Sequence, residues 1–214
     1  MKASSFARFM RTNPAPISVA TIECEAVLLR AVEFGESDLE SLQFAAQFVV
    51  LDVRDLWRVL AVVPRIVGED LFAKVIREAG NSHASGRPFF HVVMTTSNHR
   101  PFTYPQGKID IPSGTGRDGG VKFADYAVGK FLDRAHAEPW FRDTLFVFVA
   151  DHCASVAGKT ELPVAKYRIP LLFYGPELVR PVRVETRVSQ IDVPPSILDA
   201  LGRDGDDFFF GREI

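Results

Sequence analysis

The chain has 214 residues, of which 47% are hydrophobic and 24% charged, with a formal net charge of -2 and a pI near 6.2. That length and composition suit a globular chain able to bury one core. The small charge gives no overall pull toward nucleic acid or anionic lipid, so no nucleic-acid partner is expected.

Two cysteines, Cys24 and Cys153, make neither a disulfide framework nor a zinc motif. No transmembrane segment is read. The most apolar stretch, residues 44–63, is interrupted by Asp52, Arg54, Asp55 and Arg58, and such charges are costly at mid-bilayer. The first eleven residues lack an apolar h-region of signal-peptide length.

Residues 1–66 form a leader of unclear fold, expected to be mostly helical. Ile17 to Phe34 is ambiguous between strand and helix. Ser37 to Val63 reads as helix, opened by a capping-box-like Ser37-Asp-Leu-Glu. No catalytic constellation stands there, and Glu23, Glu25 and Glu33 read as solvated charges.

From residue 67 the texture changes. Gly68 to Ala79 places Leu71, Phe72, Val75 and Ile76 at helical spacing, acids first and bases later, with an expected end near Gly80. Pro88 to Met94 is a buried strand in which His91 reads as structural. Thr95-Thr-Ser-Asn-His-Arg-Pro-Phe102 comes next. Its Arg100 offers a fork for phosphate or sulfate oxygens, and His99 an imidazole that can bind an anion or move a proton. The competing reading is a polar connection with His99 bonded to backbone. Pro101 is expected to hold Arg100 extended.

Tyr104 to Gly120 is a long ordered loop, and Asp118 is expected to cap the helix running from Gly119 to His136. The Gly114-Thr-Gly-Arg-Asp-Gly-Gly run lacks the Gly-Lys-Ser/Thr ending of a phosphate loop.

Thr144-Leu-Phe-Val-Phe-Val-Ala-Asp-His-Cys153 is the stretch that organises the rest. An apolar strand ends in Asp151 and His152, where α/β sheets bind ligands. A carboxylate beside an imidazole suits zinc or manganese better than calcium. Alternatively, Asp151 ends the strand as a helix N-cap.

Arg168 to Gly175 is a third buried strand, Val182 to Val188 an edge strand, and Ser189 to Leu201 begins as a loop and becomes a helix with proline at its start. The aromatic tail from Asp206 to Arg212 is expected to tuck onto the sheet. Strands alternating with helices make an α/β layer fold.

Together, residues 89–102, 118–132, 149–152, 167–176 and 189–196 resemble the sulfatase-like branch of the alkaline phosphatase superfamily. Within it they are most similar to the lipoteichoic acid synthase and phosphoglycerol transferase type, over about residues 68–214. The resemblance implies an alkaline-phosphatase-like α/β sheet with flanking helices. It also implies a divalent metal ion, manganese ahead of magnesium, calcium or zinc, with Asp151 and His152 as two ligands. His99, with Arg100, would bind the substrate phosphoryl group. The implied substrates are phospholipid-derived phosphodiesters of the phosphoglycerol type, or sulfate esters. Full-length members are inner-membrane proteins with an extracytoplasmic catalytic domain, which leaves the localisation of this chain open.

The family's glutamate ligand and threonine nucleophile have no counterpart that can be placed here, and Thr95 and Thr96 are poor substitutes. The expectation is therefore the carboxyl-terminal part of such an enzyme, incomplete, behind an unrelated or frame-shifted leader. The alternative is a non-catalytic remnant, or an anion-binding domain without the nucleophile half.

Overall fold

Two runs without a charged residue, β6 (Thr144–Ala150) and β7 (Ile169–Tyr174), lie near the middle of the sheet. The computed structural model describes residues 17–23, 26–29, 46–52, 59–62, 68–150, 152, 168–184, 188–203 and 209–214. Among these, five further strands join the sheet: β1 (Ile17–Glu23), β2 (Ala26–Leu29), β3 (Ala46–Asp52), β4 (Val59–Val62) and β5 (Phe90–Met94). The order is β2-β1-β7-β6-β3-β5-β4. Strands from both sides of residue 66 thus share one sheet. This is the expected α/β architecture.

Alternate residues of the central strands serve two cores, as the two-residue period of a strand requires. Phe146, Phe148, Leu172 and Tyr174 face α1 (Gly68–Ala84) and α2 (Arg117–Ala135). Leu145, Val147, Leu171 and Phe173 face α3 (Val193–Ala200). Phe131 stacks on Phe72 at 4.8 Å and meets Phe146 at 6.1 Å, which ties α1 to α2 and both to the sheet. Each such fully buried side chain contributes about 1.5–3 kcal/mol relative to exposure.

Several expectations are corrected. The helix expected over Ser37 to Val63 is replaced by β3 and β4 wherever those residues are described. Its Phe48-Val-Val-Leu run is β-branched at its centre, and β3 lies between two partner strands. The ambiguous stretch from Ile17 is, where described, the antiparallel pair of strands β1 and β2.

Helix α1 runs through Gly80 to Ala84. An interior glycine costs about 1 kcal/mol, too little to stop a helix with a buried face. The stop is Gly86, in the left-handed region at φ 67, where the Arg87 N–H reaches the Ser82 carbonyl at 2.9 Å. Asp118 does not cap α2. Gly116 holds the cap position without a side-chain bond, and Asp118 sits in the first turn. In place of the edge strand near Val182, the described residues show an isolated bridge at Arg183. The tail does not bury its described aromatics: Phe209 and Phe210 are exposed, because the tail docks through its backbone.

Candidate functional site

Strand β3 runs antiparallel to both β5 and β6, so those two are parallel to each other. Their registers end almost level: Met94 pairs with Gln47 and Ala150 with Ala46. The carboxyl ends of β5 and β6 therefore lie at the same end of the sheet. They are two strand spacings apart, roughly 10 Å. The segment carrying His99 and Arg100 leaves one end, and His152 lies just past the other.

The segment after β5 is folded on itself. The His99 N–H bonds the Thr96 carbonyl at 2.9 Å, and the Phe102 N–H bonds the His99 carbonyl at 2.7 Å. The stretch expected to be extended is therefore two successive turns, with the Arg100–Pro101 peptide cis. Phe102 has φ 59, a left-handed conformation costly for a residue with a β-carbon. It is held by its own N–H, by the Gly114 N–H on its carbonyl (3.1 Å), and by contact of its ring with α2.

The first turn of α2 makes that contact close. A β-carbon at Gly120 would meet the Ser97 carbonyl oxygen, Asn98 Cα at 3.2 Å and Phe102 Cδ1 at 3.3 Å. One at Gly119 would overlap the Tyr104 hydroxyl. Tyr104 in turn stacks on Phe123 at 5.0 Å, donates from its hydroxyl to the carbonyls of Ile111 and Pro112, and donates its N–H to Ser113 Oγ at 2.8 Å. Gly119 and Gly120 thus permit close packing beneath this segment.

His99 and Arg100 are both exposed on this support. His99 Nδ1 lies 2.9 Å from the Arg100 carbonyl oxygen. A carbonyl can only accept, so this bond requires the proton on Nδ1 and leaves Nε2 for a ligand. The backbone bond of His99 expected from a polar connection is thus present at Nδ1.

Past β6, His152 is exposed, and Asp151 lies outside the described residues. An exposed imidazole next in sequence to a carboxylate is suitable donor chemistry for a divalent ion. Among the described residues, no three His, Cys, Asp or Glu side chains gather at one point. They supply one donor of the expected pair and do not make a metal centre by themselves. Cys153 also lies outside the described residues. His91 is buried on the helix-covered side of β5, stacked on Phe89 at 5.1 Å. Burial holds its pKa below the ordinary value, with Glu78 pulling weakly the other way. It is structural, as expected.

One contact at this end of the sheet has no sequence signal of its own. Gln190 donates from Nε2 to the Ala150 carbonyl at 3.1 Å, where β6 ends. The Ser189-x-x-Asp192 spacing that positions it is a readable capping box. The Gln190 contact itself is not readable.

Similarity to solved structures puts this α/β fold in the alkaline phosphatase superfamily. A protein of that superfamily from Vibrio parahaemolyticus is 36% identical, with TM-score 0.64 over 69% of this chain and 36% of its own. The lipoteichoic acid synthase LtaP from Listeria monocytogenes shares the fold, at TM-score 0.57 and 22% identity over 72% of this chain and 43% of its own.

The sulfatase family profile matches residues 55–203, more than half of the sequence, and the chain belongs to that family. Among curated relatives, lipoteichoic acid synthase 2 of Bacillus subtilis (strain 168) is 27% identical over 150 residues, 60% of this chain and 23% of the relative. A sulfatase of Formosa agariphila is 28% identical over 87 residues, 38% of this chain and 17% of the relative. The chain therefore spans about a quarter or less of these curated relatives.

Proposed function

We propose that this chain contributes to the site of a sulfatase-like hydrolase or transferase acting on phosphodiesters of the phosphoglycerol type or on sulfate esters. One observation carries the reading. The parallel ends of β5 and β6 are level, which sets the His99–Arg100 segment and His152 at one end of the sheet.

In this reading the Arg100 guanidinium and His99 Nε2 receive the oxygens of the phosphoryl or sulfuryl group. Asp151 and His152 offer oxygen and nitrogen donors to a divalent ion, manganese first. When bound, such an ion supplies Lewis acidity. The support beneath Phe102 keeps the anion-receiving side chains in place without rearrangement, which is how positioned donors become effective.

The test is turnover of bis(p-nitrophenyl) phosphate and p-nitrophenyl sulfate with Mn2+ and with EDTA. Manganese-stimulated turnover is expected, falling more than about a hundredfold in Asp151→Ala and His152→Ala. In Arg100→Ala, KM is expected to rise about tenfold. Turnover that ignores both EDTA and His152→Ala would refute the assignment.

A second reading, an anion-binding domain without chemistry, is favoured by the self-contained bracing of the segment that carries His99. It predicts that inorganic phosphate raises Tm without metal, and that Arg100→Ala abolishes the rise.

A further inference from the structure

The end of the sheet that carries His99 and Arg100 also carries the start of another strand. β7 runs antiparallel to β6, with Leu171 paired to Val149 and Tyr174 to Phe146. Ile169, the first residue of β7, therefore stands at the same end as Ala150 and Met94. Arg168 precedes it and is exposed. The two-residue period of a strand gives its side. Ile169, Leu171 and Phe173 belong to the core under α3, whereas Leu172 and Tyr174 belong to the core under α1 and α2. Arg168 is in step with the second set. That is the side on which Gly120 of α2 packs beneath the Ser97 to Phe102 segment. Two arginines, Arg100 and Arg168, thus stand at one end and on one side of the sheet.

Their separation decides what they can do. β7 and β5 are three strand spacings apart, roughly 14 Å. That exceeds the Debye length of about 8 Å at physiological salt, so the two guanidinium groups act as separate charges. Each can fork onto one tetrahedral anion, and the pair suits two anionic groups on one molecule. We infer that Arg168 is a second anion-receiving residue and a determinant of specificity: the site takes a phosphodiester or sulfate ester that carries a further phosphate, sulfate or carboxylate group. The inference rests on the reading of His99 and Arg100 as receivers of the reacting group. Arg168 holds only the remote anion and adds affinity by linking two binding events. Neither contact needs a metal ion.

The experiment is a calorimetric titration of the full chain without added metal. The probes are inorganic phosphate, hexyl and decyl phosphate, and the terminal bisphosphates of propanediol, hexanediol and decanediol. The longer bisphosphates are expected to bind at least about tenfold tighter than inorganic phosphate, and the propanediol one is not, because its linker is too short to span the two arginines. Arg168→Gln should remove that gain and leave the affinity for inorganic phosphate unchanged. Arg168 is exposed, so Tm should stay within about 2 °C of the parent. Arg168→Lys, which keeps the charge, should retain part of the gain, and Arg100→Ala should weaken every probe.

Bisphosphates no tighter than inorganic phosphate would overturn the inference and leave the reading of His99 and Arg100 standing. So would a gain that survives in Arg168→Gln or is matched by the alkyl monophosphates. Equal weakening of phosphate and bisphosphates by Arg168→Gln would also overturn it, because Arg168 would then act on the first anion. Phosphate binding that is absent from the parent, or indifferent to Arg100→Ala, would overturn both.

Discussion

The two ends of the candidate site are braced in opposite ways. The segment after β5 is held by residues close to it in sequence: Gly120, Tyr104, Gly114 and its own turns. The end of β6 is held by Gln190, whose base is fixed in turn by a tail residue, Arg212. The first is a local construction and the second a long-range one. A local brace survives changes elsewhere in the chain, whereas the β6 exit depends on the correct docking of the last residues. The anion-receiving and metal-binding roles proposed for the two ends should therefore fail independently of each other.

The largest effect is expected from Gly120→Ala. The added carbon must displace the Ser97 carbonyl, which is backbone, and also crowds Asn98 and Phe102. Overpacking of this kind costs about 1–3 kcal/mol, and the upper half of that range is expected because backbone must move. Denaturant unfolding reads the loss. The phosphate-induced rise in Tm should shrink with it, while Mn2+ affinity at His152 stays unchanged. If Mn2+ affinity falls equally, the two ends are not independent and the contrast is wrong.

The same contrast separates the features that are legible in the sequence from those that are not. Buried strands at 90–94, 144–150 and 169–174 announce themselves by apolar runs. The proline-led helix and the polar residues at the strand ends are equally plain. The placement of β3 between β5 and β6 is not readable, because strand pairing is set by tertiary partners and a Val-rich run also fits a helical period. Sequence reading puts the stop of α1 at Gly80 because it cannot tell an interior glycine from a capping one; the positive φ of Gly86 decides it. His99 and Arg100 stand out by residue type alone. Gln190 does not, since its partner is a backbone carbonyl, which has no sequence signature.

A middle-sized effect tests the strand beneath the local brace. His91 is buried, and its folded pKa lies below the ordinary value of 6.5 because burial disfavours the charged ring. The unfolded chain then binds the proton more readily. Stability is full above about pH 6.5 and falls as pH drops from there toward the lowered folded value. The slope from this one group cannot exceed about 1.4 kcal/mol per pH unit. Unfolding measured between pH 7.5 and 5 should show that dependence, and His91→Leu should flatten it. Removal of the opposing charge in Glu78→Gln should extend the loss to lower pH. An unchanged slope in His91→Leu would assign the acid sensitivity to other groups.

The smallest effect lies at the outer edge of the same brace. Lys108 in the long loop pairs with Glu69 of α1 at 2.8 Å, and the other Glu69 oxygen accepts the Tyr126 hydroxyl of α2 at 3.2 Å. The Glu69 hydrogen bond and charge raise the Lys108 pKa, so its contribution is present below the ordinary lysine range and lost as pH rises through the raised value. Both partners are partly exposed, which limits such a pair through screening and side-chain entropy. Glu69→Gln should lower Tm by about 1–2 °C at low salt and by less at about 1 M salt. It should leave Mn2+ affinity unchanged and barely alter the phosphate response, because Tyr104, Gly119 and Gly120 still hold the segment from beneath. A large loss of phosphate response in Glu69→Gln would mean that the ion pair, not close packing against α2, keeps His99 and Arg100 in place.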